Sequence, residues 1–210
     1  TNTDHIRRAF LRFDVASAVP AGILVSSVNP VLSLTRSNSG FVFASLYRVS
    51  SAWSEGTSDA GTPGGSGATA TPGDATWTRR VYPGTFWLNP GGDTAPAASG
   101  TTLIGTSLAD YVFTTTPQLV ADVQGWLDQP ATNFGWQLRV DETQIAPTAK
   151  RFGSRENTSL ALQPRLFVTY DDPNAAAPPA TGVPALDAPM QAVLALLLAA
   201  GGARLLHRAV

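Results

Sequence analysis

The sequence predicts an all-β fold: an antiparallel β-sandwich of jelly-roll-like kind with one short helix, and a separate apolar helix at the C-terminus. Three observations predict it. Several short segments alternate apolar and polar residues with a period of two, the signature of half-buried strands. Turn residues separate these segments, with 19 glycines and 16 prolines making one residue in six. One stretch alone carries a clear helical period before residue 171, so the strand–helix alternation of a parallel α/β sheet is absent.

The first strand pattern covers residues 8–15, with Ala9, Leu11, Phe13 and Val15 on one face and Arg8, Arg12 and Asp14 on the other. Pro20-Ala21-Gly22 marks a turn. Residues 23–35 form a second strand pattern with Val28, Leu32 and Leu34 in phase. Pro30 lacks an N–H, which predicts an edge or bulged position there. The third strand, 41–49, sets Phe41, Phe43 and Tyr47 against Val42, Ala44 and Leu46, so both faces are apolar and a central position is expected. From Glu55 to Thr76 the chain is Gly, Ser, Thr, Pro and Ala with hardly a large apolar residue, a loop longer than the usual ceiling of about 12–15 residues. Trp77 to Leu88 interleaves aromatic and basic residues, and Asn89-Pro90-Gly91-Gly92-Asp93 is a strong turn.

The helix is predicted from Thr116, an N-cap, with Pro117 at the first helical position. Leu119, Val120, Val123, Trp126 and Leu127 make one apolar stripe, Asp122 and Gln124 are expected to face away, and Gln129-Pro130 ends it. Phe134, Trp136, Leu138 and Val140 then alternate cleanly against Gly135, Gln137, Arg139 and Asp141. Leu166, Val168 and Tyr170 close the domain with a last strand. The organisation expected is a sandwich over 1–170, a Pro/Ala-rich linker over 171–182 and a tail over 183–210. In the tail, Ala188 to Ala203 is nearly all apolar, a run at the short end for a membrane helix, followed by Arg204, His207 and Arg208.

Composition narrows the function. Of 210 residues 43% are apolar, enough for a core, and 14% are charged against about 25% in an ordinary domain. The formal net charge is -1, with no basic excess of the kind nucleic-acid binding requires, so no nucleic-acid partner is expected. Cysteine is absent, which excludes disulfides, thiolate metal sites and a cysteine nucleophile. The two histidines, His5 and His207, stand near opposite ends, which argues against a Ser-His-Asp triad or a histidine metal centre. No catalytic residues, metal or cofactor are expected; Asp141-Glu142 is the one place considered for a structural calcium ion, and no spaced Asp/Asn loop supports it.

The stretch Trp77, Arg79, Arg80, Tyr82 and Trp87 is the candidate carbohydrate surface. Sugar rings stack on exposed aromatic faces, and arginine gives planar bidentate contacts to carboxylates, so an acidic polysaccharide suits it. The competing expectation is that Trp77 and Trp87 lie in the core, where Trp53, Trp126 and Trp136 are expected. Arg155 and Glu156 are expected to be paired structurally and to fasten the last hairpin. Only three glutamates exist (Glu55, Glu142, Glu156), each in a loop-like context, so paired carboxylates for glycoside hydrolysis are disfavoured.

Two resemblances extend this reading. The body, residues 5–170, resembles the DNRLRE-type domain, a family of extracellular β-sandwiches grouped with carbohydrate-binding modules. The residues that carry it are Arg8 to Asp14, Ser45 to Val49 with Trp53 to Gly56, Asp74 to Trp77, Leu119 to Leu127, Asn133 to Trp136, Arg151 to Asn157 and Pro164 to Tyr170. The hexapeptide of the family name is absent, and Ser154-Arg155-Glu156 is its nearest echo. The tail is similar to the IPTL-CTERM kind of C-terminal sorting signal in Gram-negative bacteria. Val183-Pro184-Ala185-Leu186 stands for the motif, with Ala185 replacing its Thr, followed by the apolar run and the basic end with Arg204 and Arg208.

These resemblances imply export, a transient stay of the tail in the inner membrane, and recognition by a membrane-embedded sorting or processing enzyme. Almost nothing precedes the Arg8 segment and the chain does not begin with Met, so an N-terminal truncation is expected. The function expected is a non-catalytic polysaccharide-binding domain at the cell surface or in the extracellular matrix. A structural or adhesive surface protein is the alternative, and a polysaccharide-degrading enzyme the third reading.

Overall fold

The computed structural model describes residues 6–38, 40–59, 61, 67–142 and 148–172, and the backbone of 206–209. It is mostly β, built of antiparallel sheets, with one helix longer than two turns. The strands are β1 (Ala9–Leu11), β2 (Leu24–Ser37), β3 (Val42–Arg48), β4 (Arg79–Val81), β5 (Thr85–Phe86), β6 (Gly100–Ile104), β7 (Asp110–Val112), β8 (Trp136–Val140), β9 (Lys150–Phe152), β10 (Arg165–Asp171) and β11 (Leu206–Ala209). One sheet runs in the order β1-β8-β3-β6. The other runs β11-β10-β2-β7, with β9 pairing the far end of β2. β4 and β5 form a separate hairpin.

Both sheets feed one buried cluster. Val42, Ala44, Leu46, Ile104, Trp136 and Leu138 enter it from the first sheet, and Val28, Leu32, Leu34, Leu166 and Val168 from the second. This arrangement is consistent with a β-sandwich. Helix α2 (Pro117–Asp128) adds Leu119, Val123 and Trp126. Full burial of each such side chain is worth about 1.5–3 kcal/mol. The Trp126 and Trp136 rings meet edge to face at 4.5 Å, as the core expectation for both required. Trp53 is only half-buried.

Local signals explain α2. Thr116 Oγ1 accepts from the Leu119 amide at 3.1 Å and Pro117 opens the first turn. The expected outward face is corrected. Asp122 is 1% exposed, and the Gln124 side-chain oxygen accepts from the Val25 amide at 2.9 Å. Asp122 Oδ2 takes the Trp136 indole N–H at 2.8 Å and the Ser99 hydroxyl at 2.5 Å, while Gln118 donates to Oδ1 at 2.9 Å. The helix therefore buries a carboxylate because Ser99 just before β6, Trp136 of β8 and Gln118 one turn earlier satisfy it, which periodicity cannot show.

Two other expectations change. The strand over 8–15 stops at Leu11, and Val15 opens a single helical turn, α1 (Val15–Ala18), with Asp14 accepting from the Ser17 amide. β2 is central rather than an edge, with Pro30 opposite Leu166 of β10. The Pro30 carbonyl accepts from the Phe113 amide, one residue past the end of β7, so the return bond from the missing Pro30 N–H is lost on that side, and Asn29 Nδ2 donates to the Phe113 carbonyl at 3.4 Å in its place. The short strands β6, β7 and β9 carry no alternation long enough to be read from sequence. Lys150, the sole lysine, donates to Ser37 Oγ (2.8 Å), Gly40 O (2.6 Å) and Gly105 O (2.8 Å), tying the ends of β2 and β6 to the turn before β3.

β3 lies centrally, between β8 and β6, as its sequence predicts. Only one of its faces is covered. Val42, Ala44 and Leu46 are buried, whereas Phe43 is 60% exposed and Ser45 and Tyr47 are half-buried.

Among the described residues no helix is long and apolar enough to cross a membrane. The linker from residue 173 onward, the motif Val183-Pro184-Ala185-Leu186, the apolar run 188–203 and Arg204 lie outside the described residues. Arg208 falls in β11, which pairs antiparallel with β10.

Candidate functional site

The aromatic–basic stretch becomes the hairpin β4–β5, and it splits. Trp87 is 5% exposed, which corrects its assignment to a ligand surface. Its ring stacks on Phe10 at 5.3 Å and its indole N–H donates to the Thr76 carbonyl at 2.9 Å. Period two explains this: Phe86 and Leu88, on either side of Trp87, point out and are 59% and 86% exposed. The two arginines are held by backbone carbonyls, Arg79 by Pro83 and Arg80 by Ala52. Arg79 also lies 3.9 Å over the Phe86 ring and 5.9 Å from that of Tyr82, which is half-buried. Trp77 alone of the two tryptophans keeps a large exposed area, 43%.

Trp77 rests on Arg8, whose guanidinium carbon lies 4.7 Å from the ring centre. Arg8 is fixed in turn. Its Nε and Nη2 make a bidentate pair with Glu142 at 2.7 and 2.8 Å, and its Nη1 donates to the Gly91 carbonyl at 3.0 Å. Gly91 adopts φ 90°, and a Cβ there would come within 2.4 Å of Arg8 Nη1 and 2.9 Å of the Trp77 ring. Only glycine lets this backbone approach both.

From Gly91 a chain of hydrogen bonds reaches the open sheet. The Gly91 amide donates to the Trp77 carbonyl at 2.5 Å, and the Gly91 carbonyl accepts from Gln137 Nε2 at 2.7 Å. Gln137, fully buried, accepts Arg139 Nε–H at 2.5 Å. Arg139 Nη2 donates to Thr94 Oγ1 at 2.8 Å, and its guanidinium carbon stands 4.4 Å over the Tyr47 ring. Two of its five N–H protons are thus used, and it has no carboxylate within ion-pair distance among the described residues. Burial, and then repulsion from Arg8, lowers its pKa, with Glu142 opposing. Glu142 is paired with Arg8 and acts on Arg139 through its field without contact.

The loop turns that frame this surface are pinned by carboxylates. Asp93 accepts from the Leu88 amide (3.1 Å), the Asn89 amide (2.8 Å) and Ser51 Oγ (3.0 Å). Burial pushes its pKa up, but these donors outweigh it and the value lies below the usual carboxylate range. Asp74 accepts from the amides of Thr71, Thr57 and Ser58. The Thr71 amide does most to hold its pKa at about 2, against burial.

Arg155 pairs with Glu156 at 2.6 Å and with Glu55 at 3.0 Å, as a structural pairing predicts, although all three are more than half exposed. Glu55 first, then Glu156, raises the Arg155 pKa. Such exposed pairs are screened by water and add little to stability. They link the last segment to the 54–58 loop rather than closing a hairpin. Glu142, considered for calcium with Asp141, is committed to Arg8. No cluster of three metal-ligating side chains occurs among the described residues.

Sequence reasoning missed Arg8, Tyr47 and Arg139 as site residues. Tyr47 and Arg139 do fall in the outward phase of their strands, which is the only signal the sequence carries. No protein-family model, curated protein or solved structure matches the chain.

Proposed function

We propose that this chain is a polysaccharide-binding domain that does not cleave its ligand, and that it takes a carboxylate-bearing glycan at Arg139 and Tyr47, flanked by Trp77. One observation carries the reading: a half-buried arginine stacked on a tyrosine, on an open sheet face, with two N–H protons used and no carboxylate within ion-pair distance among the described residues. A guanidinium fork matches a carboxylate bidentately, and the aromatic rings offer faces to a pyranose. That all three glutamates are ion-paired with arginine favours binding over acid–base cleavage.

The resemblance to DNRLRE-type domains supports the same reading, and with it a jelly-roll-like sandwich as the finer description of the fold. The tail's likeness to IPTL-CTERM sorting signals supports export to the surface or matrix of a Gram-negative bacterium. On that reading the tail enters the inner membrane transiently and meets a membrane-embedded processing enzyme.

The test is calorimetric titration of the full chain with polygalacturonate, alginate and a neutral dextran, for wild type and Arg139→Gln. Binding of a polyuronate that Arg139→Gln weakens ten- to a hundredfold, about 1.5–3 kcal/mol, supports the proposal. No binding of any polyuronate by the folded wild type overturns it.

A further inference from the structure

The outer face of β3 continues the site away from Arg139. Phe43, Ser45 and Tyr47 alternate along one strand and share that face. Phe43 is paired in register with Leu103, and the two are 60% and 46% exposed. Between them and Tyr47, Ser45 Oγ and Thr101 Oγ1 are hydrogen-bonded at 2.8 Å, and Ser45 is opposite Arg139. Phe41, 72% exposed, approaches Gly105 just beyond β6, where a Cβ would meet its ring at 3.1 Å. Three large apolar side chains therefore stand together on the same side as the guanidinium. Four residues of strand separate Phe43 from Tyr47, roughly 13 Å. That is longer than one sugar ring.

We propose that the face from Tyr47 to Phe43 and Leu103 holds the continuing chain of an acidic polysaccharide, so that the protein grips the interior of a polymer rather than its end. This rests on the reading of Arg139 and Tyr47 as the carboxylate-holding centre. The occupant is argued from chemistry and continuity. Along β3 the face presents Tyr47 under the guanidinium, the Ser45–Thr101 hydroxyl pair in register with Arg139, and the apolar pair Phe43 and Leu103, with Asp141 in register beside Phe43. A uronate chain presents carboxylates, ring hydroxyls and apolar C–H faces at the same scale. An exposed apolar cluster contiguous with a charged recognition group is the kind of patch that marks a binding surface.

The experiment titrates the full chain with uronate oligomers of increasing length. Phe43→Ser/Leu103→Thr, two exposed positions whose change leaves the core untouched, is compared with Arg139→Gln. Wild-type affinity should rise with length and then level off. The double variant should lose about tenfold for long oligomers, about 1.4 kcal/mol, and bind the shortest recognised oligomer as wild type does. Arg139→Gln should weaken every length. Affinity independent of length, or a double variant that binds long oligomers normally, overturns the extended face while leaving the carboxylate centre standing. A wild-type dimer in sedimentation that the double variant abolishes, with glycan binding unchanged, reassigns the face to self-association. No binding at any length removes both proposals.

Discussion

Gln137 and Arg139 stand two residues apart on β8, and the Gln137 side-chain oxygen accepts the Arg139 Nε–H at 2.5 Å. Gln137 is fully buried, and its other end is fixed on the Gly91 carbonyl. The guanidinium is thereby held over Tyr47 by a buried side chain that is itself hydrogen-bonded to backbone. Preorganisation of this kind lowers the ordering cost of binding. Replacing Arg139 by Gln should remove a charge-assisted contact worth about 1.5–3 kcal/mol, roughly ten- to a hundredfold in affinity. Arg139→Lys keeps the charge without the planar fork and should fall between. Equal binding by Arg139→Lys and wild type would show that charge alone matters.

Gly91 joins the two halves of the site. Its φ of 90° and the 2.4 Å approach of a Cβ to Arg8 Nη1 leave no room for a side chain. Gly91→Ala should destabilise the protein by about 1–3 kcal/mol through backbone strain and displacement of Arg8. It should also displace Trp77 from Arg8, reducing polyuronate affinity in the protein that remains folded. Urea unfolding measures the first effect and calorimetry the second. A variant with wild-type stability would mean that the turn relaxes freely.

How much of this was legible depends on separation along the chain. Thr116 and Pro117 announce α2 because capping is local. The alternation at Trp136 and Leu138 announces β8 for the same reason. Arg8 and Glu142 are 134 residues apart, and nothing local at either position specifies their pairing. Tyr47 faces Gln137 through the β3–β8 register, which sequence patterning does not supply. Trp87 meets the core expectation and Trp77 does not, because alternation in a hairpin flips with one residue of phase and the interleaved arginines leave that phase open in the sequence.

Asp122 is where the polar face of α2 turned inward. Its carboxylate serves Ser99, Trp136 and Gln118, with Arg48 at 3.5 Å. Asp122→Ala should orphan the buried hydroxyl and indole N–H and cost about 3–5 kcal/mol. Asp122→Asn, which still offers one acceptor, should cost less. Chemical unfolding of the two variants measures the difference. A loss below about 1 kcal/mol in Asp122→Ala would show that the donors find other acceptors.

Asp74 predicts the acid behaviour of the loop around residues 54–74. Gly56, at φ 73°, passes so close that a Cβ would meet Asp74 Oδ1 at 1.8 Å, and the carboxylate accepts the amides of Thr71, Thr57 and Ser58. The Thr71 amide leads the donors that lower its pKa from 3.8 to about 2. The folded value lies below the unfolded one, so the contribution to stability is complete above about 3.8 and is lost as pH falls toward 2. Asp93 and Asp110, also lowered, act in the same direction. The amide protons of Thr71 and Thr57, observed by NMR, should therefore titrate together with a midpoint near 2. In Asp74→Asn they should show no transition between 3.8 and 2, because no carboxylate remains to protonate. A wild-type midpoint at the ordinary carboxylate value would mean that the amide cage does not form in solution.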